Sequence, residues 1–404
     1  MWPGTPPDNA RFVFPSHFLY KVRLHRLSEI FAAVTAASMA YCCLSIWAAA
    51  RCAAKSKKPI QAAALPPLSV LKPLKGTDPE MYESFRSHCL QNYPDYELLF
   101  GVSDAADPAA ALVERLKREF PARAIHLRVC GQQMGANGKI SVLAQLVQSA
   151  KHAFFVVNDS DIRVEPDYLQ TVLSELQEPD TGLVTCLYRG NPAHTFFSRI
   201  ESLGISTDFV PGVLVAAEIE GGLKFGLGST LALRRDDLRK IGGFEEIANY
   251  LADDYELGKR ISQLGLKIAL SRAVVDTFLP PYGAADFFLH QIRWARTIRA
   301  SRPGGYLGLL LTYTLPWSIL TLAVSRGAKW AWLLMAIALL LRITVALVTG
   351  VSILRESGML RSLWMLPIRD CIAPVIWCAG IFGRGIVWRG QKFKLKRGML
   401  TRTE

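Results

Sequence analysis

The sequence has no Cys-x-x-Cys pair. Its eight cysteines are scattered, and Cys42, Cys43, Cys371 and Cys378 lie inside apolar runs. That pattern argues against a disulfide framework and a structural zinc site, and it fits a reducing compartment for the polar half of the chain. No helix-turn-helix, zinc-finger or aromatic-platform pattern accompanies the net charge of +13, so nucleic acid is not an expected partner. Internal repeats and low-complexity tracts are missing too. Acidic residues are comparatively few, 34 against 47 Lys and Arg. The basic excess flanks apolar runs and collects near the C-terminus, at Arg384, Arg389, Lys392, Lys394, Lys396, Arg397 and Arg402. Clusters of this kind sit against anionic lipid on the cytoplasmic side of a bilayer.

What is present divides the chain. Half of the 404 residues are hydrophobic and mean hydropathy is positive, as expected of one sizeable domain plus membrane segments. Residues 1–29 form a Pro-rich, then basic, N-terminal segment, expected to be poorly ordered or interfacial. Residues 30–50 carry no charge over 21 residues, enough to span a bilayer and longer than a signal-peptide core, so a retained transmembrane helix is expected. After a linker at 56–67, a soluble-type pattern runs to residue 284, giving a domain over 56–284. Residues 285–302 set Phe287, Phe288, Ile292, Trp294 and Ile298 against Arg293, Arg296 and Arg299, the composition of an amphipathic helix in the membrane interface. Residues 304–388 hold three apolar regions. The third is interrupted by Pro367, Arg369, Asp370 and Pro374 and reads as broken or re-entrant, with Arg369 and Asp370 neutralising one another. Two full spans then keep the basic tail, residues 389–404, cytoplasmic.

Between residues 68 and 188, short apolar runs alternate with amphipathic segments. Strands are expected over 68–71, 97–103, 125–130, 153–157 and 182–188, with helices over 79–91, 108–120, 139–151 and 166–177. Such alternation predicts a mainly parallel sheet covered on both faces. Further on, a helix is expected over 193–209, a glycine-rich loop over 221–228, a strand over 229–234, a helix over 254–264 and two short strands over 268–270 and 274–278.

The apolar run Ala153–Val157 leads directly into Asp159 and Asp161. The carboxyl end of such a strand is where open α/β sheets bind ligands, and two carboxylates on a tight turn there can hold a hard divalent cation that bridges to phosphates. Alone, Asp-x-Asp is more often a solvated turn. Four neighbours change its meaning. Asp104 ends a strand, where a carboxylate can accept from a base or ribose. Asn137 and Lys139 belong to Gly135-Ala-Asn-Gly-Lys139, a loop that opens a helix and can present amides and one ammonium to an anion. Asp253 and Asp254 sit side by side at a helix start, where mutual repulsion raises the proton affinity of one and suits it to general-base work on an alcohol. His290, Arg293 and Trp294 share the amphipathic helix, where Arg can clamp a diphosphate and the indole can pack on a ligand or the bilayer. Singly, each is equally a cap, connector or belt residue.

Their order resembles the D, DxD, D, (Q/R)xxRW signature of membrane-bound family-2-like glycosyltransferases. It is most similar to the ceramide glucosyltransferases (family 21) and their bacterial relatives, including the hopanoid-associated glycosyltransferases. Ser69–Gly76 with Asp78 and Pro79, Tyr93–Glu97, Asp107 with Pro108, Asp159–Val164 and Ala252–Tyr255 carry the likeness further. The resemblance implies an α/β GT-A (Rossmann-like) catalytic domain, an N-terminal transmembrane helix and a C-terminal α-helical membrane region. It implies a UDP-sugar donor, most simply UDP-glucose, a membrane lipid acceptor such as ceramide, and inversion to a β-glycoside. By position, Asp254 is the catalytic base with Asp253 as second candidate. Asp104, Asn137, Lys139, Asp159, His290, Arg293 and Trp294 bind the nucleotide sugar, and Asp159 and Asp161 hold Mg2+ or Mn2+. Two positions depart from the pattern: His290 stands where Gln or Arg is usual, and Asp161 keeps a carboxylate where animal-type members carry Gly. The expected location is a bacterial inner membrane with the catalytic domain cytoplasmic. Transfer of another sugar such as N-acetylglucosamine, a hopanoid or diacylglycerol acceptor, a processive polysaccharide synthase and a non-enzymatic membrane scaffold are the alternatives.

Overall fold

The computed structural model describes residues 16–56, 65–388 and 391–402. The basic residues Arg11, Lys57, Lys58 and Arg389, and most of the expected linker, lie outside them. In chain order the elements are α1 (Ser16–Ser56), β1 (Leu68–Leu74), α2 (Met81–Cys89), β2 (Tyr96–Val102), α3 (Ala109–Glu119), β3 (Ala124–Val129), α4 (Gly138–Ser149), β4 (Phe154–Val157), β5 (Ile162–Arg163), α5 (Tyr168–Leu176) and β6 (Thr181–Asn191). There follow α6 (Phe196–Gly204), α7 (Val210–Ile219), β7 (Leu231–Arg234), α8 (Arg235–Lys240), α9 (Asp253–Gln263), β8 (Lys267–Phe278) and α10 (Ala284–Ser301). The chain ends with α11 (Pro303–Gly308), α12 (Thr314–Val324), α13 (Lys329–Ala346), α14 (Met359–Ser362), α15 (Leu366–Ile381), β9 (Gly385–Trp388), β10 (Gln391–Lys396) and β11 (Met399–Arg402).

Eight strands form one sheet in the order β3-β2-β1-β4-β7-β6-β8-β5. The residues of β1 and β2 are buried throughout, as continuous apolar runs require when both faces are covered. The sheet is mixed rather than mainly parallel. β3, β2, β1 and β4 are parallel, but β7 runs antiparallel to both β4 and β6, splitting the sheet at its centre. The two short strands expected over 268–278 are one 12-residue strand, β8. Its pairing with β6 slips between Thr185 and Leu187, so the polar Ser271-Arg272 interruption is a bulge.

The helix expected to end at Phe209 continues through a π-helical turn, Ile205–Phe209, into α7. Pro211 lacks an amide proton and is accommodated where the helix has already widened. This helical stretch, Phe196–Ile219, is largely buried between the sheet domain and the apolar helices.

Among the described residues, four helical stretches are long and apolar enough to cross a membrane: Arg23–Lys55, Phe196–Ile219, Lys329–Ile353 and Met359–Ile381. A further pair, Pro303–Thr312 and Thr314–Val324, is bent by 56°. The break expected in the third C-terminal apolar region therefore lies in the first. α1 meets α12 along small residues: Thr35, Ser38, Cys42 and Ser45 are all buried, at a spacing that keeps them on one face. Thr35 Oγ1 lies 3.0 Å from Thr321 Oγ1 and Cys42 Sγ 3.3 Å from Thr314 Oγ1.

The charges in this region do not pair as expected. Asp370 takes a two-pronged contact from Arg342, at 2.7 and 2.6 Å, while Arg369 meets Asp208 at 3.0 Å. Neighbouring residues on one helix point in different directions, so Arg369 and Asp370 serve different partners. Arg342 also reaches Asp208 at 2.9 Å, tying α13 and α15 to the π turn. Removing one partner of so enclosed a pair costs about 3–5 kcal/mol, whereas replacing both by apolar groups costs much less. Arg342→Met should therefore lower the melting temperature of the detergent-solubilised protein markedly, and the double variant Arg342→Met/Asp370→Leu should recover part of the loss.

Candidate active site

The site is built at the carboxyl end of β4, where the sheet splits. Asn158 closes the strand: its Nδ2 donates to Tyr168 Oη (2.9 Å) and to the Ser229 carbonyl (2.7 Å). The following turn is held from several sides. Ser160 Oγ donates to Asp78 Oδ2 at 2.5 Å, Ser84 Oγ donates to the Asp161 carbonyl at 3.2 Å, and Thr277 Oγ1 donates to Asp161 Oδ2. Lys72, fully buried in β1, donates from Nζ to the Asp159 carbonyl at 3.0 Å. Burial pushes its ammonium down to about 7 against the opposing pull of Asp161 and Asp159. Enclosure and the neighbouring Asp159 push the Asp161 carboxyl up to about 6.

Two further elements close around this turn. Lys139, in the first turn of α4, places Nζ 2.7 Å from Asp159 Oδ1 and 3.1 Å from Asp253 Oδ2. Burial opposes its charge, but Asp159 and Asp253 more than offset this and raise its proton affinity. Asp254 begins α9 and accepts the Gly228 amide at 2.8 Å. Burial first, then Asp253, pushes its carboxyl up to about 6, with Lys139 acting the other way. A Cβ built on Gly228 would lie 3.3 Å from both Asp159 Oδ2 and Asp254 Oδ2. Glycine there lets the β4 turn and the start of α9 share one mouth.

Some expected site residues take other places. Asn137 is fully buried. Its Oδ1 caps α4 through the Ile140 amide (3.2 Å), while Nδ2 donates to the Tyr250 carbonyl (2.9 Å) and Asp253 Oδ1 (3.3 Å). It braces Asp253, with both polar atoms of its side chain bonded to protein groups. Gly135 likewise serves packing: a Cβ there would meet the Ala248 carbonyl oxygen at 2.4 Å. Asp104 is exposed in the turn after β2, where Oδ1 accepts the Ala106 amide at 2.9 Å, and makes none of the described contacts with the other carboxylates. His290 Nδ1 lies 3.0 Å from Tyr282 Oη and Nε2 lies 3.3 Å from Glu201 Oε1. Burial, then Arg293, pushes the imidazole down to about 3, so it is neutral and both its nitrogens face protein groups. Trp294 stands beside it, centroid to centroid 5.7 Å, and packs on Phe209 at 6.0 Å. Phe209 in turn packs on Tyr188 at 5.0 Å.

Lys72, Gly228, Tyr188 and Glu201 were not singled out from sequence. Lys72 carried a usable signal, a charge inside an otherwise apolar strand. Tyr188 is buried, and the charges of Asp254, Glu201, Asp161 and Asp159 all bear on its phenol, raising it well above the ordinary range.

A split sheet with an acidic turn at its seam and a second carboxylate helix facing it is the GT-A arrangement of glycosyltransferases. A mannosyltransferase from Pyrobaculum calidifontis, solved with GDP-Man and Mn2+, shares the fold, with TM-score 0.53 and 21% identity over 86% of this chain and 99% of that one. The chain belongs to glycosyl transferase family 21, whose family model matches residues 30–401. Ceramide glucosyltransferase 1 of Caenorhabditis elegans is 24% identical over 352 residues, covering 84% of this chain and 74% of its own. Ceramide glucosyltransferase 3 of the same organism is 26% identical over 240 residues, 59% of this chain and 52% of its own.

One contact was unforeseen. The basic C-terminal segment is a three-stranded antiparallel sheet, β9 to β11, whose apolar residues Ile386, Phe393, Leu395 and Leu400 pack with Leu251. It pairs with the loop before α9: the Leu251 amide donates to Gly398 (3.1 Å) and the Leu400 amide to Asn249 (2.7 Å). Asn249 Oδ1 in turn accepts the Ala136 amide at 2.9 Å. Deleting residues 385–402 should speed hydrogen exchange over residues 248–254. It should also lower glycosyl transfer by about tenfold or more, since small displacements of catalytic groups are costly.

Proposed function

We propose that the protein transfers a sugar, most simply glucose from UDP-glucose, to the hydroxyl of a membrane lipid such as ceramide, inverting the anomeric centre to give a β-glycolipid. The observation that carries this reading is the shared mouth at Gly228. Asp159 and Asp254 both line it, so a diphosphate-side carboxylate and a base-side carboxylate face one space. Family membership and the names of the relatives support the donor and acceptor classes.

In this reading the acceptor hydroxyl approaches Asp254. The carboxylate takes the proton as the oxygen attacks C1 of the sugar, and the bond from C1 to the diphosphate breaks on the opposite face. Asp253 stays paired with Lys139 and sets the charge beside the base. Lys139 and Arg293 stabilise negative charge developing on the departing nucleoside diphosphate, Trp294 supports that side of the mouth, and Asp104 contacts the nucleotide at the end of β2. The donor set fits a hard divalent cation: Asp159 and Asp161 stand on one turn, and, after burial, the charge of Asp159 raises the Asp161 carboxyl, a repulsion that a cation would relieve. Mg2+ or Mn2+ held there would neutralise the diphosphate as it leaves.

The helices support a multi-pass membrane protein with the catalytic domain at the cytoplasmic face, in bacteria the inner membrane. β9 to β11 rest on the catalytic domain, so the helices between α10 and β9 cross an even number of times. Spans at Lys329–Ile353 and Met359–Ile381, with the bent pair entering and leaving on one side, satisfy this.

Asp254→Asn should reduce transfer by about a hundredfold or more while leaving UDP affinity nearly unchanged. Wild-type turnover in that variant would move the base elsewhere, with Asp253 first in line. Because the base must be ionised, kcat/KM should decline as pH falls through about 6. Asp161→Ala, or chelation of the wild-type protein, should weaken UDP-sugar binding in calorimetry, and full affinity in chelator would remove the metal from the scheme.

A further inference from the structure

Residues 385–402 include no aspartate or glutamate, yet they fold into a sheet with one cationic face. Along β10 the side chains alternate. Phe393 and Leu395 are buried in the cluster with Leu251, while Lys392, Lys394 and Lys396 are exposed. Cross-strand register sets Val387 opposite Lys392, Thr401 opposite Lys394 and Met399 opposite Lys396, and directly opposed residues share a face. The outer face therefore carries three ammonium groups at every second residue, flanked by exposed apolar side chains, Val387 (55% exposed) and Met399 (41%). Like charges in such a row repel one another, and the sheet has no carboxylate of its own to offset them. The face suits a partner that brings negative charge.

Its placement narrows the partner. Only Phe382, Gly383 and Arg384 separate β9 from α15, which ends a stretch apolar and long enough to cross a membrane. Two arginines of α10 hold this junction. Arg296 donates to the carbonyls of Phe382 (2.8 Å) and Gly385 (2.5 Å), and Arg299 to those of Gly383 (2.8 Å) and Ile381. The Phe382 ring is 71% exposed there. A cationic face with apolar side chains among its charges, tied to the end of an apolar helix, matches the headgroup layer of a bilayer. There apolar groups enter the acyl boundary and ammonium groups stay with the phosphates. The far edge of the same sheet reaches the catalytic mouth. Met399, on the outer face, is bridged to Tyr250, and Asp253 begins α9 three residues later.

We infer that the outer face of β9 to β11 rests on anionic lipid headgroups, and that this contact stiffens the loop before α9, so that anionic lipid in the bilayer raises the rate of transfer. Lipid phosphates meet the lysine row, and Val387 and Met399 dip toward the acyl chains. Each lysine at such a surface strengthens adsorption by about fivefold, an effect that salt screens. The lipid in this contact is sensed and is not consumed. The effect on rate rests on the glycosyl-transfer reading above, whereas the contact itself does not.

The test places the full chain in nanodiscs of phosphatidylcholine alone or of an equal mixture with phosphatidylglycerol. The mixed bilayer should slow hydrogen exchange over residues 248–254 and raise kcat by about fivefold, and both effects should fade at high salt. The double variant Lys394→Gln/Lys396→Gln changes two exposed side chains outside the catalytic mouth. It should lose both responses and keep the rate seen in phosphatidylcholine. Equal exchange over 248–254 in the two bilayers overturns the proposal. So does a response that survives in the double variant, which would place the anionic lipid elsewhere on the protein. Slowed exchange with an unchanged kcat in an active preparation overturns the activation. Protection of 248–254 by added RNA in phosphatidylcholine nanodiscs, with none from phosphatidylglycerol, overturns the lipid in favour of nucleic acid. If no bilayer supports transfer from UDP-glucose to ceramide, the glycosyl-transfer reading fails, and exchange in the wild-type protein and the double variant still decides the contact.

Discussion

The ammonium of Lys139 is the charge that ties the two acidic elements at this end of the sheet together. Asp159, Asp161, Asp253 and Asp254 crowd one mouth, and Lys139 reaches two of them directly. Like charges this close would otherwise drive the loops apart or force protons onto them. Much of the surrounding structure serves to keep α4, which carries Lys139, in register with α9, which carries Asp253 and Asp254. Asn137 caps the first helix and holds the second, and Gly135 lets the two loops touch. The site is therefore a fixed arrangement of charge, and in the reading proposed above it meets a diphosphate with little rearrangement, which is how electrostatic catalysis is most effective.

The parallel half of the domain could be read from the sequence because its strands are buried on both faces and announce themselves as apolar runs. The seam could not. β7 is only four residues long, and nothing in Leu231–Arg234 tells a parallel from an antiparallel neighbour, since strand direction is set by the connections. The β8 bulge looked like a gap between two strands for a similar reason: local polarity at Ser271 and Arg272 imitates a chain break. In the site, the carboxylate pairs were visible because their spacing is itself chemical information. Asn137 and His290 were assigned to ligand binding because motif position shows that a side chain matters and leaves open which way it turns. Glu201 escaped notice because the His290 ring it faces is about ninety residues away in the chain.

The membrane region follows different rules. Apolar length located the spans, but the bend at Tyr313 and the partners of Arg369 and Asp370 depend on packing between helices distant in sequence. Charges in such a setting are retained where partners converge, and here α13 and α15 both reach Asp208. The π turn that bears Asp208 also carries Phe209, which packs against Tyr188 and Trp294. The membrane helices and the catalytic mouth thus share a piece of backbone.

The strands that clamp the loop before α9 are made after that loop and after α15. Until the ribosome has passed residue 402, Asn249 and Leu251 have no β-strand partner, however complete the sheet domain is. The apolar helices among the described residues are synthesised before that moment. In the membrane-protein reading the loop before α9 therefore gains its strand partner only after those helices have been made, and a chain still inserting holds its carboxylates without that brace.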